Sequence, residues 1–219
     1  MTLQPGPQVE SARGDAKRRA ILEVARAAFL AQGYAATSMS EIAAKLGGSK
    51  GTLYNYFRSK EELFSAFIAE TCQGPAASIF DPLPPIGQGR SVRDSLIELG
   101  VSLLTFLQLP DMIALHRLVV AEAGRLPELG RLFYEIGPQR GEERFAEYFE
   151  QAMAAGRLPR ADPRVAGQRL KDLVLSDVYM RRLWGVLGDM SPVALRAHVA
   201  DSVDIFLRGF GPAREGADG

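Results

Sequence analysis

Residues 38–57 constrain the fold more tightly than any other stretch of this chain. Ser38-Met-Ser-Glu41 has the form of a capping box, in which a serine hydroxyl and a glutamate three residues on satisfy the free amides of a helix start. Ile42 and Leu46 then lie on one face of a short helix, and Gly47-Gly48 breaks it. Ser49 can cap a second short helix, GTLYNYF, whose Leu53 and Phe57 can pack on Ile42 and Leu46. A longer helix comes before both: Ile21, Ala25, Ala28 and Phe29 recur at helical spacing, and Gly33 closes it. Two short helices around a glycine turn, preceded by a longer one, form a helix-turn-helix, the arrangement that lays its second helix in the DNA major groove.

The rest of the chain is also punctuated as helices. Ser59-Lys-Glu-Glu62 is a second capping box, opening a helix that carries Leu63, Phe64, Phe67 and Ile68. From Gly74 to Gly89, seven of sixteen residues are Gly or Pro, which predicts a loop or a broken helix end. Helical patterns follow at 91–108, 111–124, 127–155, 162–187 and 192–209, with Asp162-Pro163 and Ser191-Pro192 as cap-plus-proline starts. Gly137-Pro138 is expected to kink or split the helix containing it. There is no sustained period-two alternation and no Asn-Gly or Asp-Gly hairpin, so the expected fold is all-α with about nine helices.

Composition excludes several classes. The longest apolar runs fall short of the roughly 18 residues a spanning helix needs, and the start MTLQPGPQVESARGDAKRR has no apolar stretch of a secretory signal. A cytoplasmic protein without membrane partners is therefore expected. The lone Cys72 forms no internal disulfide, and two histidines with one cysteine make a poor zinc set, so neither metal nor cofactor is expected. Lys and Arg number 26 against 26 Asp and Glu, which taken whole argues against nucleic acid. The distribution reverses that argument. Residues 13–60 hold nine basic side chains against three acids, whereas residues 61–219 hold 17 against 22. A basic head on an acidic body fits a nucleic-acid binder that docks by one end, and it fits an ordinary solvated charged surface as well.

Residues 18–64, RRAILEVARAAFLAQGYAATSMSEIAAKLGGSKGTLYNYFRSKEELF, closely resemble the DNA-binding domain of the tetracycline-repressor (TetR) family. The matching pieces are AxxxF-xxxGY, TS-x-x-x-IA and G-x-SKGTLYNYF-x-SKEEL. The stretch IALHRLVVAEAGRLPELGRLFYEIGP is similar to the C-terminal domain of AefR-type members. The resemblance implies a flexible tail at 1–13, a helix-turn-helix DNA-binding domain at 14–60, and a ligand-binding and dimerisation domain at 61–219. It also implies a palindromic double-stranded DNA operator, a homodimer and an unidentified small-molecule effector.

Within the head, Lys50, Gly51 and Thr52 begin the recognition helix. Gly51 permits close approach, Thr52 offers a hydroxyl and a methyl to base edges, and Lys50 suits either guanine or a phosphate. Asn55 can pair with adenine if it faces the bases. Tyr54 and Tyr56 suit phosphate contacts, with packing in the three-helix core as the other reading. Lys60 is expected on a phosphate. Thr37, Ser38 and Ser49 are caps first, and the resemblance adds backbone contacts for Thr37 and Ser38.

In the body, the expected ligand-facing residues are Phe67, Cys72, Phe106, Met112, His116, Phe133, Tyr134 and Tyr179. His116 with Tyr134 or Tyr179 is the expected polar anchor of a mostly apolar site; a buried histidine satisfied by backbone is the other reading. The expected dimer face comprises Tyr179, Leu183, Trp184, Leu187, Val199, Val203 and Phe206. The expected function is a repressor released by its effector; an activator, or a regulator answering to a protein partner, fits the sequence equally. A helical enzyme carrying a DNA-binding head finds no support, since H-E-x-x-H, G-x-S-x-G and a glycine-rich phosphate loop are all missing and no catalytic residues stand out.

Overall fold

The computed structural model describes residues 7–73 and 89–210, and within them the chain forms helices and no strand. In chain order these are α1 (Pro7–Ala36), α2 (Met39–Lys45), α3 (Lys50–Tyr56), α4 (Lys60–Gln73), α5 (Val92–Leu107), α6 (Pro110–Ala123), α7 (Pro127–Ile136), α8 (Pro138–Ala154), α9 (Pro163–Leu183) and α10 (Pro192–Phe210). Gly137-Pro138 splits α7 from α8 as expected, so the described residues hold ten helices where about nine were expected. The Gly/Pro-rich stretch read as a loop lies, from 74 to 88, outside the described residues, as do residues 1–6. The backbone of α1 is helical from Pro7 and so reaches into the stretch read as a tail; proline suits a helix start, and Glu10-Ser-Ala-Arg13 contains nothing that stops a helix. No single helix among the described residues is long and apolar enough to cross a membrane.

The chain divides into two compact units. The first is Met1–Glu70 with Arg117–Phe133, and the second is Thr71–His116 with Tyr134–Gly219. The boundary expected after residue 60 thus moves into α4, for a packing reason. Phe64 and Phe67 of α4 stack with Phe29 and Tyr34 of α1, ring centroids 4.9 to 6.2 Å apart, which binds the first turns of α4 to the head. Below α2 and α3, Ile21, Leu22, Ala25, Ile42, Leu53 and Phe57 are buried.

In the second unit α5, α8, α9 and α10 enclose one core built on Leu96, Leu99, Leu104, Phe149, Leu170, Val174, Val199, Val203 and Phe206. Helix α9 is broken at Ser176, a non-glycine residue at φ 41, ψ −146. The carbonyls of Leu173 and Val174 lie just before the break. Two side chains of α10 take them: Ser202 Oγ donates to Leu173 O at 3.1 Å, and His198 Nε2 donates to Val174 O at 2.8 Å. The helix expected to run to 187 stops at Leu183. Gly185, at φ 74, closes it with paired bonds from Gly185 N to Arg182 O and from Val186 N to Arg181 O.

Candidate nucleic-acid interface

The start of helix α3 is secured by the residue just before it. Ser49 Oγ accepts the Thr52 amide at 3.2 Å and lies 3.1 Å from the Thr52 hydroxyl, so the helix start is satisfied from within. Ser38 does the same for α2, accepting from Glu41 N at 3.2 Å. Leu53 and Phe57 face the core, and Arg18 of α1 lies 5.2 Å over the Phe57 ring. The opposite face of α3 therefore looks outward: Lys50, Gly51, Tyr54 and Asn55 are exposed, and Thr52 and Tyr56 flank them half-buried. Helix α3, KGTLYNY, contains no acidic residue to pair with Lys50. The face presents a cation, amide and hydroxyl groups and a helix start together, the set that contacts phosphates and base edges.

Two residues expected at this interface are engaged elsewhere. Thr37 is only 1% exposed, and its hydroxyl donates to Gly33 O at 2.8 Å while accepting from Gln32 Nε2. It secures the end of α1 and does not face outward. Lys60 Nζ donates to the carbonyls of Tyr34 and Thr37 at 3.0 Å each and of Ala35 at 3.4 Å, with the Tyr34 ring 4.3 Å away. All three of its protons have acceptors, so it grips the α1–α2 turn. The same turn shows partners that the sequence reading missed. Tyr34 Oη donates to Glu61 at 3.1 Å, and burial followed by the Glu61 charge raises the phenol's pKa. Glu122 of α6 accepts the Ala35 amide at 3.3 Å. Glutamates so placed carry no local signal in the sequence.

The expected ligand-facing residues separate in a similar way. Phe67 is part of the head's aromatic cluster, and Phe133 too belongs to the first unit. Tyr134 is exposed and donates to Glu142 at 3.0 Å, which Lys171 also holds at 2.8 Å, so Tyr134 is a surface group and not an interior anchor. Phe106 and Met112 are buried in the second unit. Cys72 is half-buried, and burial pushes its thiol up to about 11, away from the reactive thiolate. His116 and Tyr179 come together: Tyr179 Oη is hydrogen-bonded to His116 Nδ1, their rings meeting edge to face at 5.6 Å. Burial raises the Tyr179 pKa and lowers that of His116 to about 4. The histidine is therefore neutral at pH 7. Tyr148 is a further interior polar group, its hydroxyl buried and without a hydrogen-bond partner among the described residues.

The lowered His116 pKa has a consequence for acid stability. Below about pH 6.5 the unfolded chain protonates this imidazole while the folded one resists until about pH 4, so stability is whole above pH 6.5 and is lost through that window. His116→Gln should flatten the decline between pH 6.5 and 4 by on the order of 2 kcal/mol. Urea denaturation of both proteins at pH 7, 5.5 and 4.5 measures this; parallel curves would place the imidazole in water.

The expected dimer face also divides. Val199, Val203 and Phe206 are at most 1% exposed within one subunit, because their stripe of α10 faces α5 and α9. They belong to the subunit core. Tyr179 is buried against His116. Leu183 and Leu187 are half-buried, and Trp184, just past the end of α9, is 69% exposed. The remaining large exposed apolar groups on this part of the chain are Met180, Val186, Val193 and Ile205.

Two family models match the chain. The model of bacterial regulatory proteins of the tetR family matches residues 21–67, and that of the AefR-like transcriptional repressor C-terminal domain matches residues 94–212. A TetR-family regulator from Mesorhizobium loti MAFF303099 is 32% identical, covering 91% of this chain and 99% of that one, with a TM-score of 0.78. The flavonoid-responsive regulator FrrA is 32% identical over the same shares, with a TM-score of 0.79. Among curated proteins, HTH-type transcriptional repressor Rv1474c of Mycobacterium tuberculosis is 34% identical over 71 residues, 32% of this chain and 38% of that protein. The uncharacterized HTH-type regulator YfiR of Bacillus subtilis is 36% identical over 62 residues, 28% of this chain and 30% of that protein, so the chain spans about a third of these curated relatives. With a capped helix-turn-helix at its N-terminal end and a family match over more than half its length, the chain belongs to the TetR family of transcriptional regulators.

Proposed function

We propose that this regulator is a homodimeric repressor, acting in the cytoplasm, that leaves a palindromic operator when a small, largely apolar effector binds its C-terminal domain. The exposed face of α3 carries this reading: Lys50, Gly51, Thr52, Tyr54 and Asn55 are free to meet DNA while Leu53 and Phe57 anchor the helix beneath them. Tyr56 and Ser38 flank that face, and Ser49 sets its start. Two such faces would enter successive major grooves about 34–36 Å apart. Met180, Trp184, Val186, Val193 and Ile205 are the apolar groups offered to a second copy, since a soluble monomer rarely exposes so many. The effector part is supported by FrrA, whose name says it responds to flavonoids, and by the His116–Tyr179 pair and the unpartnered Tyr148 hydroxyl, which suit a ligand carrying a few polar groups on an apolar frame.

The test begins with a duplex selected by the protein from a randomised pool. Its affinity should fall with salt at a log–log slope of about −5 to −8 per dimer. Lys50→Ala should change base preference or reduce the slope by about one per subunit, whereas Lys60→Met should leave the slope unaltered because that ammonium is held by backbone carbonyls. Adding naringenin as a probe flavonoid should release the duplex; a hundredfold loss requires about 2.7 kcal/mol of differential binding. A slope near zero or a Lys50→Ala protein identical to the parent would dismiss the α3 interface. A duplex that stays bound across a panel of aromatic and acyl compounds would dismiss effector release.

A further inference from the structure

Two cations of α1 flank the recognition helix. Lys17 stands one turn before Ile21 and Arg18 one turn before Leu22, so both continue the buried stripe of α1 beyond the core. Arg19 stands one turn before the exposed Glu23, on another side of the helix. Lys17 is half-buried and lines one crevice with Gly48, Ser49 and Thr52, at the start of α3. Arg18 is exposed, and its guanidinium lies 5.2 Å over the ring of Phe57, the residue that ends α3. Consecutive side chains of α1 thus reach both ends of one seven-residue helix. Apolar groups at these two positions would simply lengthen the core. Here long stems cover apolar neighbours and carry charge to the edge of the α3 face. Three other cations of the head are engaged: Arg26 pairs with Glu23 at 3.6 Å, Lys45 with Glu41 at 2.7 Å, and Lys60 donates to three carbonyls. Among the described residues Lys17 and Arg18 have no ion-pair partner, and Asp15, the acid nearest in sequence, pairs with neither.

We propose that Lys17 and Arg18 form a second DNA contact, a phosphate clamp that holds the duplex backbone beside the two ends of α3. A major groove about 12 Å wide has a row of phosphates on either side of an inserted helix. Helix α3, with seven residues, is about 10 Å long, so cations beside its ends stand where those rows pass. An ammonium and a guanidinium suit phosphate oxygens, the guanidinium by two parallel bonds. Stacking on Phe57 holds Arg18 in one place before DNA arrives, which lowers the ordering cost of binding. The proposal rests on α3 being the groove-facing helix, and it adds to Lys50 two contacts per subunit that read no base.

Salt titrations of the full-length protein on the selected duplex test the clamp. Lys17→Gln, Arg18→Gln and Arg19→Gln remove the same charge from neighbouring positions. Lys17→Gln and Arg18→Gln should each reduce the log–log slope by about 0.9 per subunit and weaken the duplex about eightfold per subunit at 0.1 M salt. Neither should change the bases selected from the randomised pool. Arg19→Gln, on another side of α1, should have less than about half that effect on the slope, and Arg18→Lys, which keeps the charge, should leave it intact. Equal losses from all three glutamine variants would mean that only the net charge of the head matters, and would overturn the proposal. Unaltered slopes for Lys17→Gln and Arg18→Gln, beside an altered Lys50→Ala, would overturn it too while leaving the α3 interface standing. A parent slope near zero would defeat both. Should Arg18→Gln unfold the head by losing its stack on Phe57, Lys17→Gln decides. A pool that yields no preferred duplex would defeat the sequence-specific reading instead, and slopes on any fixed duplex would still judge the clamp, because phosphate contacts carry no sequence information.

Discussion

Gly33→Ala is expected to destabilise the head by about 3 kcal/mol, from two separable causes. The first is backbone strain. At φ 87, ψ 164 the residue occupies a region that only glycine enters freely, and a Cβ there costs on the order of 1–3 kcal/mol. The second is the Glu122 carboxylate, whose Oε1 would stand 2.7 Å from the new carbon. A carboxylate end is mobile and will swing away, so the clash itself is cheap. What is lost is the bond to the Ala35 amide, which leaves a buried acceptor and a donor unmatched. Urea denaturation of the single and double variants separates the two. In a Glu122→Ala background the Gly33→Ala penalty should shrink to the strain alone, by about 1 kcal/mol. An undiminished penalty would mean that Glu122 and Gly33 do not share a site, and an unchanged midpoint for Gly33→Ala would mean that the turn relaxes at no cost.

How much of this was legible in the sequence depends on how local each interaction is. The caps Ser38 and Ser49 were readable because a cap bonds an amide three residues on, and the structure gives both bonds at 3.2 Å. The burial of Ile42, Leu53 and Phe57 was readable from spacing, while Gly33, read as closing the helix, is a break inside α1, which continues to Ala36. For Lys60 and Thr37 the resemblance points to DNA, and only tertiary structure reveals that both side chains are bonded to carbonyls of the α1–α2 turn. Phe67 was misassigned because an aromatic residue on α4 fits a ligand wall and a stack with Phe29 equally well, and only tertiary packing chooses. On α10 the apolar stripe is legible in the sequence, but Val199, Val203 and Phe206 fill the subunit's own core, and the exposed apolar groups of that helix are Ile205 and Val193. The early end of α9 was missed although Gly185 announces it, because the apolar run through Leu187 outweighed a single glycine. Glu122 lay beyond reach altogether, its partner being 87 positions distant.

In the second unit the largest single-residue effect should come from Gly100→Ala, at about 2–4 kcal/mol. Gly100 is where α5 comes closest to α9 and α10: a Cβ would lie 2.6 Å from Val199 Cγ1 and 3.2 Å from Val174 Cγ2. Both valines are fully buried, and β-branched side chains in a helix have little rotameric choice. Their backbones cannot part independently either. His198, next to Val199, holds the Val174 carbonyl at 2.8 Å, and Ser202 holds that of Leu173, so moving α10 away from α5 would drag on the bonds that close the Ser176 break. The added methyl therefore meets a wall tied on two sides, and overpacking of this kind is resolved only by off-rotamer strain or by pushing α5 outward. Removing the obstructing methyls should restore much of the loss: Gly100→Ala with Val199→Ala is expected to be more stable than Gly100→Ala alone by about 1 kcal/mol or more, although Val199→Ala by itself leaves a cavity and destabilises. Thermal and urea unfolding of the four proteins form the cycle. Additive single effects would place the strain somewhere other than the α5–α10 crossing, while a recovered double variant would locate it at the two methyl groups that face Gly100.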